Sequence, residues 1–260
     1  MPDSYPDNMD HLGQENLKKL KRLRGRAKLE VNKERYKFLK KLYPSIENWE
    51  GPIPNLRDVF RPEEIDRLLV EDLNCFSGKE FIRFVARSAY KDEPKVDKHG
   101  KPLPNRTTAL HELARGRYSF VILDLFVIYD RFDANYADEY GYTHFHAACA
   151  SGCLNIVEKF LEHGQDPDCI VKKTGDLVLS NGHQKVSELL LKNGANPNSV
   201  YKKGLTPLHV ICQRSRDDKL AKLYFEINDE SNQTLRIDAQ DKDGYTPLHF
   251  ALKYMGDGYQ

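Results

Sequence analysis

The sequence has little of what would mark a secreted protein, a membrane protein or an enzyme. Its five cysteines, Cys75, Cys149, Cys153, Cys169 and Cys212, are odd in number and scattered, which argues against a disulfide framework and for a reducing compartment. No long apolar run is present. The densest, Phe120 to Tyr129, is interrupted by Asp124 and falls well short of the roughly 20 residues that cross a bilayer. The opening Met-Pro-Asp-Ser-Tyr-Pro lacks the apolar centre of a secretory signal, so the Asn-x-Thr triplets at Asn105 and Asn232 read as chance matches. There is no glycine-rich phosphate loop, nucleophile elbow or conspicuous carboxylate pair, so no catalytic residue, cofactor or small-molecule substrate is expected. Net charge is nearly absent as well. Lys+Arg 40 against Asp+Glu 39 leaves +1, which rules out binding of polyanions by the chain as a whole.

What is present is unevenly placed. Residues 1–15 carry −4, residues 16–41 carry +10 and the remainder carries −5. With 260 residues, 40% of them apolar, the chain can build one elongated unit or two compact domains. From Gln14 to Leu42 an apolar stripe (Leu17, Leu20, Leu23, Ala27, Val31, Phe38, Leu42) predicts helix, and Pro44 is expected to end it. Arg61-Pro62-Glu63-Glu64 predicts a second helix with Ile65, Leu68, Leu69 and Leu73 inward. Ser77-x-x-Glu80 reads as a capping box, with Phe76 and Phe81 as a hydrophobic staple, opening a third helix whose Phe81, Phe84 and Val85 face inward. Residues 90–106, rich in Pro and Gly, read as an irregular connection.

Beyond about residue 105 the chain becomes periodic. Asp243-Gly244 signals a tight turn, and Thr246-Pro247-Leu248-His249 follows as a capped helix start. The string returns at Gly204-Leu205-Thr206-Pro207-Leu208-His209, at Gly141-Tyr142-Thr143-His144-Phe145-His146, and more loosely at Thr108-Ala109-Leu110-His111. A closing turn recurs as Asp133-Ala134-Asn135, Asp166-Pro167-Asp168 and Asn196-Pro197-Asn198, the first two 33 residues apart.

These strings, with Gly152 to Asp168 and Gly182 to Asn198, resemble the ankyrin-repeat family. The resemblance implies a mainly α fold, a solenoid of helix-turn-helix repeats with short β-turn fingers, preceded by an α-helical N-terminal region. The expected organisation is a flexible stretch at 1–12, a helical region or cap at 13–90, a linker at 91–104 and repeats at 105–137, 138–170, 171–200, 201–240 and 241–260. The third repeat has lost four residues: Gly175 and Gly182 are seven apart, where Gly141 and Gly152 are eleven apart. Its inner helix should be stunted or missing beside an outer helix at about 183–192. The fourth carries an insertion, with a bulge expected over 228–234. The last is incomplete, leaving Leu248 and Leu252 without their usual cover, as if the array were cut short or completed by a partner. Phe120 to Tyr129, apolar on almost every side, should be buried from two directions beneath the N-terminal helices.

Three sites present themselves. His144-x-His146-x2-Cys149-x3-Cys153 has metal-binding residue types, but a zinc site needs four converging ligands, and the family implies that His146 bonds between repeats. No metal is expected. The basic string Lys18, Lys19, Lys21, Arg22, Arg24, Arg26, Lys28 fits a nuclear-import signal or a phosphate-contacting patch, but no aromatic residue lies among it. A solvated face complementing the acidic remainder is the preferred reading. The strongest site is the one the family implies, a concave face of finger tips and inner-helix positions. It comprises Glu139, Tyr140, Tyr142, Ala150 and Ser151; Lys173, Thr174, Asp176, Ser180 and Asn181; Lys202, Lys203, Leu205, Gln213 and Arg214; and Lys242, Asp243, Tyr245, Lys253 and Tyr254. Burial of Tyr140, Tyr142, Tyr201 and Tyr245 would anchor a partner.

The resulting expectation is an intracellular, cytoplasmic or nuclear, non-enzymatic module that binds an unidentified protein, with neither nucleic acid nor membrane as its partner. The alternatives are a nuclear regulator whose basic helix over 17–28 contacts nucleic acid, and a substrate adaptor of a ubiquitin ligase.

Overall fold

A computed structural model describes residues 6–75, 79–115, 119–171, 183–214, 219–230 and 234–256. Among the described residues the regular structure is helical, with isolated β-bridges and no named strand. The chain divides into two compact units, one of residues 1–103 with 107–131, the other of residues 104–106 with 132–260.

The first unit holds α1 (Pro6–Gly25), α2 (Asn32–Glu47), α3 (Pro62–Asn74), α4 (Glu80–Arg87), α5 (Ala109–Arg115) and α6 (Ile122–Ile128). The stripe over 14–42 is therefore two helices, not one. Placed side by side, they bury Leu20, Leu29, Phe38 and Leu42, which a single straight helix would scatter along its length. α1 starts at Pro6, within the stretch expected to be flexible; Pro at a first helical position followed by Asp7 suits a helix N-terminus. Pro44 does not end α2 but lies inside it. It removes one backbone bond, and the buried Ile46 anchors the turn that follows.

α3 begins as expected, with Pro62 first and the Glu64 carboxylate accepting the Arg61 N–H at 3.0 Å. Ile65, Leu68, Leu69 and Leu73 are all buried. The capping box and staple expected for α4 involve Phe76 and Ser77, which lie outside the described residues. What is described before α4 is Lys79, buried, with a left-handed φ of 68°. Its ammonium donates to the carbonyls of Leu73 (3.0 Å) and Cys75, so a cation meets the negative end of α3. Phe60 then joins the layers, edge-on to Phe38 at 6.0 Å and to Phe81 at 6.2 Å. Each such ring stabilises by about 1.5–3 kcal/mol on burial.

α3 packs on α5, and α4 on α6, so two successive helical pairs stack in register. Between them, the segment read as an irregular connection closes into a small hairpin. Leu103 N–H donates to Lys95 O at 2.8 Å, and Asp97 N–H to Lys101 O at 2.9 Å. α6 corrects one expectation. Ile122, Leu125, Phe126 and Ile128 are buried, but Phe120 (59%), Leu123 (61%) and Val127 are exposed. Apolar composition sets how much surface a helix would bury, whereas its neighbours set how much it does bury.

The second unit holds α7 (His144–Ala150), α8 (Leu154–Glu162), α9 (Gln184–Lys192), α10 (Pro207–Arg214), α11 (Lys219–Glu230) and α12 (Pro247–Gly256). α7 is buried over His144 to Cys149, and its small residues Ala147, Ala148 and Cys149 let neighbours approach closely. The outer helix of the third repeat is α9, whereas its finger and inner-helix segment, residues 172–182, lies outside the described residues. Of the bulge expected over 228–234, α11 takes in residues 228–230, and residues 231–233 lie outside the described residues. The helix runs through Asn228, which is buried and donates its side-chain amide to Tyr224 O.

The recurring closing turns join consecutive repeats. The Asp168 carboxylate accepts the Asn196 N–H at 2.9 Å, and Asn198 accepts the Arg236 N–H at 2.8 Å and donates to Thr234 O at 2.8 Å. Asn135 accepts the Phe145 N–H at 3.0 Å and donates to Gln165. These side chains hold backbone groups that no helix satisfies.

Candidate partner-binding site

Each Thr-x-x-His string folds into the same local unit. The backbone N–H of Thr108, Thr143, Thr206 and Thr246 donates to Nδ1 of His111, His146, His209 and His249 at 2.9, 3.1, 3.1 and 3.0 Å. An Nδ1 that accepts leaves the ring proton on Nε2. His209 uses that proton to reach Tyr245 O in the next repeat at 3.1 Å. The Nε2 of His146 stands 3.6 Å from Cys169 Sγ. These histidines are thus occupied in building the helix starts. Among the described residues no three His, Cys, Asp or Glu side chains converge as metal ligands. Burial pushes the Cys149 thiol well up, and burial with Asp166 and Asp168 nearby pushes Cys169 to about 12, so both are protonated at neutral pH.

The fingers are also alike. Asp138 accepts the N–H groups of Tyr140 and Tyr142 at 2.8 and 2.9 Å, and Asp241 accepts those of Asp243 and Tyr245 at 2.9 and 2.8 Å. Each finger closes through a backbone bond, Asp138 N–H to Tyr142 O and Asp241 N–H to Tyr245 O, both 2.9 Å. Sequence reading passed over these two aspartates, although Asp138-x-x-Gly141-Tyr142 and Asp241-x-x-Gly244-Tyr245 share one visible spacing. The two later fingers touch directly, with the Lys242 N–H donating to Lys203 O at 2.8 Å. That approach requires a glycine at 204, where a Cβ would stand 3.0 Å from Lys242 N.

The proposed contact positions divide by location. Glu139 and Tyr140 are exposed on the second-repeat finger, Tyr142 is half-buried with its ring 5.3 Å from that of His146, and Ser151 is half-buried after α7. Lys173 and Thr174 lie outside the described residues, as does the side chain of Arg214. Lys202 and Lys242 are exposed at neighbouring finger tips. The structure brings Lys203, Leu205, Gln213, Asp243, Tyr245, Lys253 and Tyr254 together around one cleft of about 350 Å3, joined by Asp241, His249 and Phe250. Across it Gln213 Nε2 donates to the Tyr254 hydroxyl at 3.2 Å, and the Lys253 ammonium lies 5.7 Å from the Tyr254 ring centre. Tyr201 is half-buried and outside this cleft lining.

The basic string lies on and just after α1. Lys18, Lys19, Lys21, Arg22, Arg26 and Lys28 are exposed, whereas Arg24 is turned inward and bonds Glu64, its Nε to Oε2 at 3.1 Å. One of the seven cations is therefore a structural ion-pair partner. No helix among the described residues is long and apolar enough to cross a membrane.

A family model described as ankyrin repeats (three copies) matches residues 73–170 and 177–259. The match starts in α3, earlier than the repeat strings alone indicated, in keeping with the stacking of α3 and α4 on α5 and α6. The chain is also 32% identical over 124 residues to the probable 26S proteasome regulatory subunit p28 of Saccharomyces cerevisiae, covering 45% of this chain and 51% of that protein. It is 32% identical over 118 residues to the E3 ubiquitin-protein ligase KEG of Arabidopsis thaliana (43% of this chain, 7% of the ligase). It is 30% identical over 132 residues to alpha-latrotoxin-Lt1a of Latrodectus tredecimguttatus, 48% of this chain and 9% of the toxin. The chain thus spans a small part of the long relatives and about half of the yeast protein. With repeat strings, stacked helical pairs and a family match over most of its length in agreement, this chain belongs to the ankyrin-repeat family.

Proposed function

We propose that the chain is a non-enzymatic protein-binding module that holds its partner on the surface made by the fingers and inner helices. The observation that carries this reading is the cleft beneath the last two fingers. There, exposed side chains, among them Tyr245, Tyr254, Lys203 and Lys253, converge on one side. Exposed aromatic rings with flanking cations are the side chains that dominate protein interfaces. The histidines and thiols that could suggest chemistry are engaged in helix starts or held protonated by burial. All five cysteines are unpaired, which fits work in a reducing compartment.

The similarities to a proteasome subunit, a ubiquitin ligase and a toxin support repeats, not a shared partner, because three proteins of such different description match comparable shares of this chain. A ubiquitin-ligase adaptor role therefore gains no specific observation. Replacing Tyr142 and Tyr245 together with Ala should leave far-UV circular dichroism unchanged. Proteins captured by the wild-type chain, identified by mass spectrometry, should be depleted with the variant. Equal recovery of the same proteins by both would count against this surface.

A further inference from the structure

We infer that the cleft between the last two fingers accepts an acidic side chain beside an apolar one, presented by an extended segment of the partner. The inference rests on the partner-binding reading of the same surface and specifies what that surface recognises. Leu205 and Phe250 give the cleft an apolar part, and the rings of Tyr245 and Tyr254 extend it. At about 350 Å3 it is at the small end of ligand sites, a size for side chains and not for a helix.

Its charge decides the polarity of the ligand. Lys203 and Lys253 line the cleft, and the exposed Lys202 and Lys242 stand at the finger tips that the Lys242-to-Lys203 backbone bond holds together. Two aspartates oppose them. Asp241 spends one carboxylate oxygen on two backbone N–H groups of its own finger, and the four lysines of the cleft and finger tips outnumber the two carboxylates. The Lys253 ammonium already lies against the Tyr254 ring, so a cation arriving from a partner would meet both a lysine and an occupied π-face. A carboxylate would meet ammonium groups, a neighbouring side-chain amide from Gln213, and apolar surface for the residue next to it. Lysines are point charges suited to a single carboxylate, and the described lining contains no planar guanidinium fork of the kind that selects phosphate.

The test is to pan random peptides displayed on phage against the full chain. The selected sequences should place Asp or Glu next to an aliphatic or aromatic residue. A synthetic copy of the leading peptide should bind about tenfold more weakly to Lys203→Glu/Lys253→Glu, and more weakly to wild type as salt rises. The milder Lys203→Gln/Lys253→Gln should fall between, with circular dichroism of both variants unchanged. Selection of basic or uncharged peptides, indifference of the leading peptide to both double variants of the lysine pair, or no enrichment at all would overturn the inference. If the leading peptide ignores the lysines but is lost on Tyr142→Ala, the cleft assignment fails while the surface reading stands. Indifference to every one of these changes removes both.

Discussion

Glu64 sits in an environment that its position in the sequence does not imply. It was legible as a first-turn acid of α3, but the structure buries it and surrounds it with Arg61 Nη2 at 2.7 Å, Arg24 and the Arg61 N–H. Burial raises its pKa, and the hydrogen bonds from Arg61, Arg24 and the backbone outweigh that and hold it below the ordinary value. A depressed carboxylate pKa contributes stability that is present above the unfolded-state value and lost as pH falls through the folded one. Glu64→Gln should therefore cost roughly 1–3 kcal/mol at neutral pH. The deficit should begin to shrink as pH drops below the ordinary carboxylate value of about 4.3, and close only as pH falls through the lower value that Glu64 has in the folded protein, where its carboxyl becomes neutral. Urea titrations of both proteins across pH check this; a gap that stays constant into acid would contradict it. Comparing the pair also cancels the opposite trend from Asp72, whose carboxyl burial raises.

At the scale of elements, the fingers owe their spacing to backbone contact, and Gly204 is where that contact is closest. Lys203 (φ 65°) and Gly204 (φ 78°) both adopt left-handed conformations, and the Gly204 face lies against Asp241 and Lys242. Gly204→Ala combines an unfavourable φ with a methyl 3.0 Å from Lys242 N. It should cost about 1–2 kcal/mol and disturb the cleft from a distance. Denaturation should show the loss, and the Lys242 amide, freed from Lys203 O, should shift in an NMR spectrum. An unmoved Lys242 resonance would mean that the fingers do not depend on this contact. Much of this level was readable in advance. The Thr-x-x-His starts and the Asp/Asn-x-Asp/Asn turns are each a few adjacent residues, and their bonds form within one turn or to the next repeat at a fixed offset. Expectation and structure part at Pro44, where buried Ile46 outweighs a local breaker, and at Asn228, which α11 takes in although composition placed it in a loop.

For the molecule as a whole, stability should be graded along the repeats, because each pair of helices is covered only by its neighbours. α12 packs on α10, yet Leu248 and Leu252 are each 65% exposed. Its amides should exchange with deuterium faster than those of α7, whose residues His144 to Cys149 are all buried. Equal protection of the two helices would show that the stack opens as one cooperative body and not repeat by repeat.

The sequence by itself determined the repeat, because its motifs are short-range chemistry: a hydroxyl cap, a proline at a helix start, a glycine in a turn, each acting within a few residues. The family resemblance further implied that contact positions would lie on the fingers and inner helices. Only the tertiary structure decided which of those positions meet. Seven of them face one cleft, because a backbone bond between fingers brings together residues some 40 apart in the chain. Only the tertiary structure, too, decided that α3 and α4 stack like a repeat without its motifs, and that one side of α6 is left exposed. Burial is a property of neighbours, and no stretch of sequence carries its neighbours with it.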